Sequence, residues 1–236
     1  MNIDLIISAD YLVEDKIRGK SVVVIDILRA TTVITTAIMN GCKKVIPLLT
    51  VEEAYNKRQE LTSEECILGG ERRAVKIDGF DFSNSPLEYK KDVVKDKTLI
   101  ITTTNGTRTL TKCNKANTVI VGCMLNSYAV AKKLLDLGRD IVIVNAGTNG
   151  EFSMDDFICS GSILQDLINI KKDLQLSDIA KVAVKAYNSY PNVIDYIKDA
   201  RHYSVMINLG LEKDIDYCIQ KNMTDIVPIY KNGIIR

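Results

Sequence analysis

The sequence predicts an α/β protein, layered α/β/α, with a mostly parallel sheet and a helix-rich C-terminal part. Three observations predict it. Short runs rich in Val and Ile recur through the first 150 residues. These runs are continuously apolar rather than alternating, as suits strands covered on both faces. Helical patterns intervene between them, as a parallel sheet with crossover helices requires.

In chain order, "NIDLIIS" near the start reads as a strand, followed by "SVVVIDIL" (21 to 28), "KKVIPLL" (43 to 49) and "CILGG" (66 to 70). "TLIITTT" (98 to 104), "TVIVGC" (118 to 123) and "DIVIVNAG" (140 to 147) continue the series. Between them, "ATTVITTAIMNG" (30 to 41) is a helix closed by Gly41. "TVEEAYNKRQEL" (50 to 61) starts on Thr50 with Glu53 three residues later, the capping-box spacing. "NSYAVAKKLLDLG" (126 to 138) is a third helix. Residues 76 to 92, "KIDGFDFSNSPLEYKKD", form the main irregular stretch, and a loop that long is often functional.

Beyond about residue 152 the pattern turns helical, through "MDDFICSGSILQDLINIKK", "LSDIAKVAVKAYNSY" and "NVIDYIKDARH". "DIVPIY" reads as a last strand, placed at a sheet edge because Pro228 has no N–H for a ladder. The chain is expected to be one unit over 1–236. A division, if there is one, falls near residue 150, with the sheet in 1–150 and helices in 151–236.

Composition narrows the function. With 31 Lys+Arg against 30 Asp+Glu, no overall field favours a polyanion or a membrane surface, so anion recognition must be local. Trp is absent and aromatics are 6%, which leaves no basic aromatic surface for nucleic acid. The start lacks a basic leader and no apolar run approaches the roughly 20 residues that span a bilayer. A cytoplasmic protein without membrane partners is the expectation.

The six cysteines are scattered without a CxxC pair and read as buried free thiols. His202 is the one histidine, which argues against a His/Cys zinc site. A bound metal would need oxygen ligands, pointing to magnesium, manganese or calcium.

Ligands of an open parallel sheet bind beyond the carboxyl ends of its strands. Polar residues gather there in this chain: Asp26 and Arg29; Glu71, Arg72 and Arg73; Thr102 through Arg108; and Asn145 through Asn149. In "TTTNGTR", Gly106 permits a close backbone approach, and Thr104, Asn105, Thr107 and Arg108 can face an anion; the plainer alternative is a strand end, a helix cap and a solvated arginine. Asp26 closes an apolar strand, where a buried carboxylate needs a metal or an arginine. Asp155 and Asp156 open a helix; about 100° apart around it, at most one of them lines the site. "CILGGER" has the C-x5-R spacing of cysteine-dependent phosphatases, but Ile67 and Leu68 look like strand interior, where that chemistry needs a loop. Asp26 lacks a second aspartate two residues on, and both nucleotide-binding glycine motifs are absent.

Four blocks taken together, "VVVIDILRATTVITTAI", "GERRAVKIDGFDFSNSP", "TTTNGTRTL" and "NAGTNGEFSMDDFICSG", resemble the 2-phosphosulfolactate phosphatase family in order and spacing. The resemblance implies magnesium-dependent hydrolysis of 2-phosphosulfolactate to 3-sulfolactate and phosphate, as in coenzyme M biosynthesis. By position the family pattern falls on Asp26, Arg29 and Thr31, on Glu71, Gly79, Asn84, Ser85 and Pro86, on Asn105, Gly106 and Arg108, and on Gly147, Asp155, Asp156 and Gly161. Asp155 stands where the family is expected to carry glutamate more often, which makes Asp156 the firmer metal ligand.

The expected mechanism places Mg2+ on Asp156 with Asp26 or Glu71, and Arg29 and Arg108 on the phosphoryl oxygens. Arg72 holds the sulfonate or carboxylate, and Glu71 or Asp155 accepts a water proton; a covalent route through Asp26 is the alternative. Thr104, Asn105, Gly106, Thr107, Asn84, Ser85 and Gly147 are expected around the substrate. Other readings are a phosphatase for another small phosphorylated acid and a binder of small anionic acids without turnover. A homodimer is expected because it is the commonest assembly of soluble enzymes.

Overall fold

A computed structural model describes residues 1–63 and 65–236 of the chain. Its strands are β1 (Asn2–Ile6), β2 (Ser21–Ile25), β3 (Lys44–Leu48), β4 (Cys66–Arg72), β5 (Val75–Lys76), β6 (Thr98–Thr102), β7 (Thr118–Gly122), β8 (Ile141–Asn145), β9 (Gln175–Leu176), β10 (Ile229–Lys231) and β11 (Ile234–Ile235). They form one sheet in the order β5-β4-β6-β3-β11-β10-β7-β2-β8-β1-β9. Two parallel blocks, β4-β6-β3 and β7-β2-β8-β1-β9, are joined by the antiparallel hairpin β10–β11.

That hairpin corrects the expectation for "DIVPIY". The strand begins after Pro228 and lies inside the sheet, with β7 on one side and β11 on the other. Pro228 causes no conflict there, because it contributes its carbonyl, which accepts from the Val121 amide at 2.9 Å. A proline that only has to accept is compatible with an interior position.

The helices are α1 (Glu14–Ile17), α2 (Ala30–Met39), α3 (Val51–Glu60), α4 (Lys91–Val94), α5 (Gly106–Lys112), α6 (Ser127–Leu137), α7 (Met154–Ile170), α8 (Asp178–Ser189), α9 (Val193–Ile197), α10 (Arg201–Asn208) and α11 (Glu212–Cys218). The Thr50–Glu53 capping box forms as its spacing predicts. "NVIDYIKDARH" is divided: α9 ends at Ile197, and Arg201 and His202 open α10.

Successive side chains of β2 serve different cores. Val23 and Ile25 pack with Phe157, Ile163 and Leu164 of α7. Val22 and Val24 share a cluster with Val33 and Ile34 of α2, Leu110 of α5, and Val45, Leu99 and Ile101 of the other block. The far face of that second block, Ile46, Leu68 and Ile100, is covered by Ala54 of α3 and by Ile77 and Phe80 of the irregular stretch. Helices α2 and α5 therefore contact strands of both blocks. This shared core brings the carboxyl ends of β4 and β6 to those of β2 and β8, across a hairpin that separates them in the sheet. Cys42, Cys113, Cys123, Cys159 and Cys218 are buried free thiols, and Cys66 is partly exposed. Among the described residues, no helix is long and apolar enough to cross a membrane.

Candidate active site

Each predicted polar cluster follows a strand that ends at the same place. Asp26 comes directly after β2, Glu71 is near the end of β4, Thr104 follows β6, and Gly147 follows β8. Asp26, Arg29, Glu71, Asn84, Thr104 and Asn105 line one cavity of about 300 Å³. Arg73, Ala74, Thr148, Asn149, Arg201 and His202 complete much of its wall.

The cavity floor is acidic. Asp26 is 8% exposed and one of its oxygens accepts from the Ala30 amide at 3.3 Å. Burial, with repulsion from Asp155 and Glu71, pushes its pKa up to about 7. Thr31 braces this corner, its hydroxyl accepting from the Asp26 amide at 3.0 Å and donating to the Asp26 carbonyl at 2.9 Å. Asp156 is pushed well above the usual carboxylate range by burial and by Asp155 and Asp26. Its two oxygens accept from the Ile27 and Gly147 amides, each at 3.0 Å, tying the ends of β2 and β8 together. Asp155 accepts from the Ser153 hydroxyl and faces an adjoining cavity that shares Thr148, Arg201 and His202 with the first.

Glu71 holds two loops. One oxygen accepts from the Thr104 amide at 2.7 Å, and the other from the Ala74 amide at 2.8 Å and the Thr104 hydroxyl at 3.2 Å. Arg29 is 2% exposed, and the Leu28–Arg29 peptide before it is cis, a feature without a sequence signal because no proline follows Leu28. One Arg29 nitrogen donates to Asp214 of α11 at 2.5 Å, and another to the Ala74 carbonyl at 2.9 Å. Asp214 also accepts from the Ser85 hydroxyl at 2.6 Å. A guanidinium has five N–H donors, so Arg29 retains some for the cavity it lines.

The "TTTNGTR" turn divides its work residue by residue. Thr102 accepts from Arg72 at 2.9 Å. Thr103 and Thr107 staple the turn, each amide donating to the other's hydroxyl at 3.2 Å, with both residues buried. Thr104 and Asn105 face the cavity. A Cβ on Gly106 would lie 2.5 Å from the Ala30 methyl and 2.8 Å from an Asp26 oxygen, so only glycine lets α5 approach the Asp26 carboxylate. Arg108 instead pairs with Asp10 at 2.5 Å, outside the cavity lining.

The structure therefore gathers Asp26, Arg29, Glu71, Asn84, Thr104 and Asn105 in one wall. It places Asp156, Gly147, Ser85 and Thr107 in the supporting bonds just described. Arg72 turns away, donating to Leu49 and Glu71 carbonyls as well as to Thr102. Arg201, His202 and Asp214 are the functional candidates that sequence reasoning missed, and Arg73 was named at this edge without a role. Arg73 was visible beside Glu71, but nothing in one sequence told its direction from that of Arg72. Cys66 opens β4 and Arg72 ends it, so they stand at opposite ends of a seven-residue strand, which removes the C-x5-R reading.

The carboxylates also bear on magnesium. Their hard oxygen donors suit the ion in chemical type, and their mutual repulsion is what a dication would relieve. Among the described residues, no three Asp, Glu, His or Cys side chains converge as a ready cage. That arrangement fits the mode in which Mg2+ takes one or two protein carboxylates and completes its shell with water and phosphate oxygens.

The Asp26 shift predicts a pH effect. A carboxylate whose folded pKa is raised binds its proton more tightly folded than unfolded, so its stabilising contribution is lost as pH rises from about 4 to about 7. In EDTA, the stability of Asp26→Asn relative to the unchanged protein should therefore increase over that window and level off above it. Urea unfolding at pH 4.5, 6 and 7.5, values taken about that window, checks this, and a pH-independent difference would refute the shift.

Buried carboxylates, a fixed arginine and amide-braced loops at the carboxyl ends of parallel strands make this cavity the candidate active site of an α/β protein. Comparison with known proteins then gives the particular family. A family model described as 2-phosphosulpholactate phosphatase matches residues 6–233. A Clostridium botulinum (strain Eklund 17B / Type B) protein is 58% identical over 230 residues, covering 98% of this chain and 97% of the relative. A Clostridium beijerinckii protein is 56% identical over 235 residues, 100% and 99% of the two chains. A Clostridium tetani protein is 55% identical over 236 residues, covering 100% of both. All three carry the name "Probable 2-phosphosulfolactate phosphatase". The chain belongs to the 2-phosphosulfolactate phosphatase family, as its four sequence blocks imply.

Proposed function

We propose that this protein is a phosphoric monoester hydrolase that converts 2-phosphosulfolactate to 3-sulfolactate and phosphate with magnesium, in coenzyme M biosynthesis. The observation that carries the reading is the cavity in which Asp26, Glu71 and Arg29 meet at the carboxyl ends of the strands. Family membership supplies the substrate.

Asp26 and Glu71, the carboxylates on the cavity wall, would hold Mg2+, which when bound supplies Lewis-acid polarisation of the phosphoryl oxygens. Asp156, anchored by two amides, fixes the loops around Asp26. Arg29, oriented by Asp214 and Ala74, directs its remaining donors at the equatorial phosphoryl oxygens, a role planar guanidinium suits. Thr104 and Asn105 contribute polar contacts from the facing turn. Asp155, which opens onto the adjoining cavity that shares Thr148, Arg201 and His202 with this one, is the remaining carboxylate and would accept the proton of the attacking water from that side.

Phosphate release from 2-phosphosulfolactate tests this, with p-nitrophenyl phosphate alongside, in Mg2+ and then in excess EDTA. Release that favours the sulfonated substrate and falls at least about a hundredfold in EDTA is expected, the scale on which loss of a transition-state electrostatic contact acts. Release indifferent to EDTA would remove the metal from the account, and no release from either ester would overturn the hydrolase reading.

A further inference from the structure

We propose that Arg73 is the residue that recognises the sulfonate, and so sets substrate specificity; this rests on the phosphatase reading above. Three arginines line the cavity: Arg29, Arg73 and Arg201. Arg29 is committed to Asp214 and Ala74, and Arg201 to Glu151. Arg73 has neither an ion pair nor a hydrogen bond within the described residues. An unmatched cation at the mouth of a cavity with an acidic floor is complementary to a ligand that carries a second negative group.

The backbone is built to present that side chain. Arg73 and Ala74 form the tip of the β4–β5 hairpin, where Arg72 pairs with Val75, and both have left-handed φ values, 55° and 65°. The next residue in the tip, Ala74, is held at both of its backbone polar groups. Its amide donates to Glu71 at 2.8 Å, and its carbonyl accepts from Arg29 at 2.9 Å. Two residues of the cavity wall thus fix the tip that carries Arg73. A left-handed turn without glycine persists where its surroundings over-determine it, and these two bonds do so.

The chemistry matches. A sulfonate stays ionised across the physiological range and presents three weakly basic oxygens. A guanidinium fork engages two such oxygens at once, whereas the point charge of lysine does not. With the phosphate on the carboxylate floor beside Arg29, the group carried by the neighbouring methylene falls toward the rim. Arg72, the first candidate by sequence, lies outside the cavity lining, turned toward Thr102, Leu49 and Glu71.

The test compares Arg73→Gln and Arg73→Lys with the unchanged protein on 2-phosphosulfolactate and on 2-phospholactate, which lacks only the sulfonate. Arg73 is exposed, so both variants should fold. The expected result is a loss of about 10- to 100-fold in kcat/KM for the sulfonated substrate, mostly in KM, with 2-phospholactate changed less than about twofold. The lysine variant should fall between. Calorimetric titration with 3-sulfolactate and with lactate gives a readout independent of turnover: Arg73→Gln should weaken only the former. Equal losses on both substrates, or no loss on either, would overturn the assignment. If no ester is turned over but 3-sulfolactate binding still depends on Arg73, the hydrolase reading fails while the sulfonate site stands.

Discussion

Replacing Asp26 with asparagine should lower phosphate release by on the order of 10³-fold or more while leaving the fold intact, the scale seen when a catalytic carboxylate is removed. The substitution preserves shape and keeps an oxygen for the Ala30 amide, so the loops at the end of β2 need not move. It removes the charge that the proposed metal would need, and equally the nucleophile that a covalent route would use. Because burial and the neighbouring carboxylates oppose that charge, its removal should not destabilise the metal-free protein at neutral pH. A variant that is at least as stable and nearly inactive is the signature of a group kept for function at the expense of stability. Urea denaturation and steady-state phosphate release on the same preparation check both halves. Substantial residual activity would show that Asp26 stands beside the reaction without taking part.

The second large effect is expected at Asp214. Its carboxylate is 3% exposed and holds both Arg29 and Ser85, joining α11 to the start of α2 and to the loop before Pro86. Asp214→Ala leaves the Arg29 guanidinium buried without its counter-charge, a change that typically costs about 3–5 kcal/mol. Activity should fall with it, because Arg29 then has only the Ala74 carbonyl to set its direction. The double variant Arg29→Met with Asp214→Leu separates the two effects. Replacing a buried ion pair by apolar groups is often neutral, so this variant should recover most of the stability and none of the activity. If the single variant lost less than about 1 kcal/mol, the pair would be behaving like an exposed surface bridge.

These two residues also mark how far the sequence alone could be read. The place of Asp26 on the cavity wall was legible because a carboxylate after "SVVVI" sits at the carboxyl end of a strand, where ligands of a parallel sheet bind. Glu71, Thr104 and Asn105 were legible for the same reason, since each follows a continuous apolar run. Asp214 was not, because it contacts Arg29 across 185 residues and lies on a helix whose local pattern resembles any surface helix. Arg108 shows the converse error of scale: its place after Gly106 fits an anion-binding turn, yet Asp10, remote in sequence, takes it. The interior position of β10 was hidden too, since Pro228 forbids an N–H bond but says nothing about a carbonyl that accepts. Local patterns fixed where each strand would deliver its side chains. Which of two adjacent arginines faces the cavity depended on contacts remote in sequence, Leu49 and Thr102 for Arg72 and the Arg29–Ala74 bond beside Arg73.

The most direct measurement of the central claim is a crystal structure of the protein with Mg2+ and 3-sulfolactate. The ion should lie at Asp26 and Glu71, with the sulfolactate between Arg29, Thr104 and Asn105 and its sulfonate at Arg73. Density for both in another depression, such as the groove lined by Lys57, Leu61 and Asn232, with this cavity empty, would contradict the account.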